Sequence, residues 1–149
     1  MPNLKDIFGE IAVLFSYPKH LIVFAARLVL AYGFLKPALL KLNDMSVTAE
    51  WFESMSIPFP ILTSYLVTGI EAIGIVLLIV GLFTRQISVL LICVMIGAIS
   101  FVHGSQGFSV ADNGVEIPLY YMLFLMLFAT YGAGKYSLDH LLFKDGNDE

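Results

Sequence analysis

Apolar residues fall into four long stretches separated by charges and loop-forming residues, each close to the length that crosses a bilayer. They run from His20 to Leu42, from Ile61 to Phe83, from Gln86 to His103 and from Glu116 to Ala133. About 20 apolar residues are needed to cross a hydrocarbon core of ~30 Å, so the pattern predicts four transmembrane helices, the third short but sufficient. Ahead of them, Leu4, Ile7, Phe8, Ile11 and Phe15 recur at helical spacing with Lys5, Asp6 and Glu10 between. That is the pattern of an amphipathic helix lying on the membrane surface, ended by Pro18. Its apolar core is too short for a cleaved signal peptide. Between the first and second stretches, Val47, Trp51, Phe52 and Met55 share a face, predicting a second interfacial helix with Trp51 at headgroup depth. The run from Ile57 to Ile61, with prolines at 58 and 60, stops it. Only Thr84 and Arg85 separate the second stretch from the third, which forces an antiparallel helical hairpin. The last loop carries Gly104, Gly107 and the turn signal Asp112-Asn113-Gly114.

Composition agrees. Of 149 residues, 58% are apolar and 13% charged, and the mean hydropathy is +0.85. The fold class expected is therefore all-α, an integral membrane four-helix bundle with short interfacial helices at the N-terminus and between spans one and two, in one domain covering residues 1–149. Four spans leave no room for a separate soluble catalytic domain. A net charge of −4 without a basic run gives no electrostatic footprint for nucleic acid. Cys93 is the single cysteine, so neither an internal disulfide nor a vicinal dithiol can form, and its apolar neighbours Ile92, Val94 and Met95 predict a buried, unreactive thiol. Lys5, Lys19, Arg85, Lys135 and Lys144 fall on one side of the four-span arrangement and Lys36 and Lys41 on the other, which places both termini in the cytoplasm.

An ionisable group inside a span costs about 2.5–3.5 kcal/mol on insertion scales and tends to be paired, cavity-facing and functional. Glu71 sits near the middle of the second span, and Ser64, Thr68 and Glu71 follow i, i+4, i+7 on one face with Gly74 beyond. This stripe should point inward, while Gly69, Gly74 and Gly81 should let a neighbouring helix approach. Counting ~1.5 Å per residue from the cytoplasmic end puts Arg27 about 10 Å deep, Glu71 about 15–18 Å and Lys36 about 24 Å. Arg27 is the nearer cation and can grip a carboxylate with two parallel hydrogen bonds, so the count pairs Arg27 with Glu71 and leaves Lys36 as second choice. The same pair could serve packing alone.

Toward the other leaflet, Lys36, Lys41, His103 and Glu116 could line one mouth. A histidine beside a carboxylate can pass protons near neutral pH, and a neighbouring cation would attract the oxygen of a quinone. Polar helix ends are also ordinary, and Glu116 could simply favour a helix N-terminus. His20, His103 and His140 are too far apart for a local metal motif, so no metal is predicted, although Asp112 and Glu116 lie near His103. Met122 and Met126 have the spacing of thioether copper paths and equally that of core filler.

Several stretches together resemble the DoxX family of small four-helix membrane proteins. Arg27-Leu28, Tyr32-Gly33-Phe34 and Lys41-Leu42 look like its first helix. GIEAIGIVLLIVGLFTR, from Gly69 to Arg85, is similar to its most recognisable stretch. NGVE, ending at Glu116, and GAGKYSLDHLL, from Gly132 to Leu142, resemble the start and exit of its last helix. The resemblance implies a bacterial inner-membrane protein, a subunit or accessory of a quinone-linked redox or oxidative-stress system. Quinone would then be the cofactor. Arg27, Glu71 and His103 would handle protons and Lys36, Lys41 and Glu116 would bind the head. Partners would be the bilayer, a soluble or membrane redox protein supplying electrons, and a second copy of the chain. A structural anchor for a partner protein and a carrier for a small solute or copper are the alternatives.

Overall fold

The structure, a computed structural model, describes residues 9, 10, 13 and 18–143. The apolar positions of the expected N-terminal amphipathic helix, Leu4, Ile7, Phe8, Ile11 and Phe15, lie outside the described residues. Among the described residues the chain is helical and contains no strand.

Helix α1 spans Lys19–Asn43 and carries Pro37 inside it. Asp44 then turns the chain, its carboxylate accepting from the backbone N–H groups of Ser46 and Val47, which satisfies two of the orphan donors that open a helix. This cap starts α2, Met45–Ser54. Helix α3 runs over Pro60–Val80, with proline in its first turn and Gly81 in the left-handed conformation closing it. Helix α4 follows at once, Thr84–Gly97, and continues as a π-helical turn, Ala98–His103, and a 3-10 turn, Gly104–Gln106. After a short 3-10 turn at Val110–Asp112 come α5, Glu116–Tyr131, and α6, Leu138–Phe143.

Three helices are long and apolar enough to cross a membrane: Lys19–Asn43, Pro60–Val80 and the continuous Thr84–Gln106. The fourth, α5, is apolar but has 16 residues, about 24 Å at 1.5 Å per residue. Helix α1 packs along α3, and α5 along α4. Leu30, Phe34, Leu78, Leu91, Leu125 and Phe128 fill the centre. The outward faces are as apolar as the core, with Val29, Leu40, Ile61, Val76, Leu123 and Leu127 all exposed. A continuous apolar exterior on helices that satisfy their own backbone is what a bilayer requires, so this is an all-α membrane protein.

The structure departs from the pattern in three places. The interfacial helix α2 turns Thr48 and Phe52 inward against α3, while Val47 and Trp51 stay exposed; packing on α3 rotates it away from the face that sequence spacing alone selects. The third stretch begins two residues earlier than expected and runs three further, through the π turn. Gly69 faces open space, so it admits no neighbouring helix, whereas at Gly74 an added side chain would meet Leu91 at 3.0 Å.

Candidate functional site

The inward stripe of α3 is as the spacing predicts: Ser64, Thr68 and Glu71 are all buried. The cation that meets Glu71 is Lys41. Its Nζ donates to Oε1 at 2.6 Å and to Oε2 at 2.5 Å, and the Glu71 side chain is 4% exposed. The expected pairing with Arg27 is therefore corrected, and side-chain direction explains why. A helical side chain leans toward the N-terminus of its own helix. In antiparallel helices Lys41 leans down α1 while Glu71 leans up α3, closing much of a Cα depth difference of about 15 Å. Arg27, lower on the same helix, leans down α1 as well and so away from Glu71. Its Nη1 donates to the Leu78 carbonyl at 2.9 Å and its Nη2 to the Tyr136 carbonyl, while the guanidinium lies 5.5 Å from the centre of the Phe24 ring. The Leu78 carbonyl is one of those left over in the last turn of α3. Arg27, fully buried, thus ties the end of α3 to the segment following α5.

Asp139 completes that end. Its Oδ1 accepts from Phe83 N at 2.7 Å and its Oδ2 from Thr84 N at 2.9 Å, and its own N–H donates to the Gly81 carbonyl at 2.9 Å. The stretches that carry the sequence resemblance thus meet in space at two opposite ends, Arg27 with the Gly81 and Tyr136 segments at one and Lys41 with Glu71 at the other.

Above the Lys41–Glu71 pair lies a cavity of about 500 Å³, within the range of about 300–1,000 Å³ typical of small-molecule sites. Its walls come from α1, α2, α3, α4 with its π turn, and α5, and they are almost wholly apolar, with Phe34, Trp51, Phe52, Ile70, Phe101 and Pro118 among them. Side chains with a polar group are few: Lys41, Glu71, His103, Thr63, Tyr121 and Trp51. His103 Nδ1 lies 2.7 Å from the Asn113 carbonyl oxygen. A carbonyl can only accept, so Nδ1 carries the proton and Nε2 of the neutral ring is an acceptor. The π turn that carries His103 is of a kind frequent at functional positions.

Of the residues singled out from sequence, Glu71, Lys41 and His103 line this cavity, whereas Arg27, Lys36 and Glu116 do not. Lys36 is exposed on the outside of α1. Glu116 holds its own loop, Oε2 accepting from Val110 N at 2.9 Å and Oε1 from the Tyr120 hydroxyl at 3.3 Å. Among the described residues no three of His, Cys, Asp and Glu are placed to share a metal ion. Met122 packs against the core and Met126 faces outward. Cys93 is free and exposed, contrary to the expected burial, because it lies on the flank of α4 that borders the cavity rather than on the face that packs on α5. Sequence reasoning also missed Tyr121, whose hydroxyl fills the space beside Gly33, and Gly97, where an added Cβ would meet nothing within 4 Å. For Gly97 the one available signal was a glycine inside a helix, which costs about 1 kcal/mol relative to alanine.

The sequence model of the DoxX family matches residues 22–104. Two relatives from Haemophilus influenzae, both described as uncharacterized proteins, are similar over most of their length. One is 35% identical over 122 residues, 79% of this chain and 81% of the relative. The other is 37% identical over 123 residues, 79% of this chain and 88% of the relative. No solved structure matches the chain.

Proposed function

The chain belongs to the DoxX family, and on that premise we propose that it binds a membrane quinone in the cavity above Lys41 and Glu71, as a subunit or accessory of a quinone-linked redox or oxidative-stress system. The observation that carries this reading is an apolar cavity of about 500 Å³ whose wall holds one ion pair and one histidine. A quinone has that character, a lipophilic ring and tail with two oxygens that need hydrogen bonds. When bound it accepts two electrons and two protons.

The chain's own residues supply the rest. Lys41 directs a donor toward a ring oxygen while Glu71 holds the ammonium in place. His103, fixed through Nδ1 by Asn113, offers Nε2 for a hydroxyl proton or, protonated, gives one back, a role suited to imidazole near neutral pH. The apolar walls orient the ring and keep water from it. Electrons would come from a partner redox protein, because the sequence carries no metal or flavin motif of its own. Lys and Arg placement puts both termini in the cytoplasm of a bacterial inner membrane, with the cavity in the outer half.

The test is mass spectrometry of protein extracted gently from membranes. Wild-type protein should carry quinone near one equivalent, and Lys41→Met, checked for a monodisperse folded fraction, should carry little. Wild-type protein free of quinone, even after incubation with quinone-loaded vesicles, would refute the reading and leave the structural anchor in its place.

A further inference from the structure

Helices α3 and α4 are joined by a tight turn and pack closely near it, with Leu91 against Gly74. From the level of Leu90 to the far end of α4 the cavity lies beside and between them. The rims of this seam are Leu66 on α3, 55% exposed, and Leu90 on α4, 48% exposed, with Cys93 beside it, also exposed. All three line the cavity as well. A residue that both lines a cavity and faces the outside of the bundle marks an opening. This one lies on the apolar belt, where the outside is lipid. Gly97 continues the α4 rim one turn on. It has ordinary helical geometry, with φ −60° and ψ −45°, and a Cβ added there would meet no neighbouring atom within 4 Å.

We propose that this seam is a lateral portal through which a lipid-soluble molecule passes from the bilayer into the cavity, its polar head reaching Lys41–Glu71 and its tail remaining between α3 and α4 at Gly97. The inference rests on the quinone reading for the head and adds the route and the tail. It follows from two facts about the same gap. The walls are apolar along its whole length, so a hydrocarbon chain loses nothing by lying there. The gap also reaches the lipid face without crossing the polar end of the bundle.

Trp51 is the single tryptophan and lines the cavity, so its fluorescence reports a quenching quinone ring directly. The experiment uses full-length protein in phosphatidylethanolamine–phosphatidylglycerol vesicles, titrated with an isoprenoid benzoquinone and separately with the same ring lacking its tail. Both should quench Trp51 in the wild type. Gly97→Leu should weaken the tailed quinone by about tenfold or more while changing the tail-free ring by no more than about twofold. Cys93→Phe, on the same rim, should act in the same direction and guards against a folding defect in one variant, with the melting temperature measured for both. Tailed-quinone quenching unchanged in both variants would overturn the portal. Equal loss of both ligands in correctly folded variants would also overturn it, because the added side chain would then block the head and not the tail. Absence of quenching by either ligand in the wild type would overturn the quinone reading itself, which is the result that separates the two failures.

Discussion

Lys41 and Glu71 form a two-centre contact in which each charge depends on the other, since the carboxylate has almost no exposure and the ammonium little. Removing one partner of a buried pair costs about 3–5 kcal/mol because the survivor is stranded. Glu71→Gln alone should therefore lower the folded fraction in a denaturant titration of detergent-solubilised protein, and Lys41→Met with Glu71→Gln should recover much of the loss. If the double variant also regains quinone, the pair serves packing; recovered folding without quinone makes it part of the site. Arg27 gives the contrasting expectation. It binds at Leu78, two turns along α3 from Glu71, so Arg27→Met and Glu71→Gln should add within about 0.5 kcal/mol. Coupling larger than that would mean the two ends of the bundle are not independent. Glu71 was legible as an inward, paired carboxylate because its stripe of Ser64 and Thr68 is periodic. Its partner was not, because a depth count places Cα atoms and ignores that antiparallel helices aim their long side chains in opposite senses.

The turn between α3 and α4 depends on two positions. Gly81 has φ +68°, and a Cβ there would run into the Arg27 guanidinium and the Ser137 side chain. Gly81→Ala must therefore strain the backbone and displace the Arg27 clamp together, whereas Gly69→Ala, with nothing within 4 Å, should leave stability unchanged or raise it by up to about 1 kcal/mol through helix propensity. Thermal unfolding of the two variants side by side checks this, and similar loss at both would show the clamp to be unimportant. Asp139 is the second position, since its two carboxylate oxygens serve the first N–H groups of α4. Asp139→Ala should cost about 1–2 kcal/mol, the upper range for a lost helix cap, and Asp139→Asn about half, because an amide keeps one acceptor of two. An unchanged melting temperature in Asp139→Ala would reject the cap. The helices themselves were readable from apolar runs and charge breaks, and their ends agree within a few residues. The cap was not, because it comes from residue 139 to residues 83 and 84 and no local spacing encodes a contact that far apart. The π turn at Ala98–His103 was hidden for a related reason: an apolar run reads as helix whether its turns hold 3.6 residues or more.

At the scale of the molecule, the apolar exterior makes it a membrane protein, and the orientation determines which leaflet the cavity serves. Five of seven loop-side Lys and Arg lie with the termini, while the loop from Gly104 to Val115 has none, so the orientation proposed from the positive-inside bias has that loop and the Lys41–Glu71 end outside the cytoplasm. Lys36 and Lys41 oppose the bias; Lys41 is paired with Glu71 and Lys36 is exposed. The α5 helix, at 16 residues, is the weak link in any four-span count, and its length matters because an odd number of crossings would separate the termini. Its packing along the full-length α4 and the Arg27 bond to Tyr136 just past its end return the chain to the level where α3 ends, which is what a crossing requires. Paired reporter fusions decide it. Fused after Gly107, alkaline phosphatase should be active and a cytoplasmic fluorescent reporter dark, and after Asp145 the reverse. A fluorescent fusion after Gly107 would invert the molecule and move the cavity to the cytoplasmic leaflet. Two fusions reporting the same side would mean that α5 does not cross.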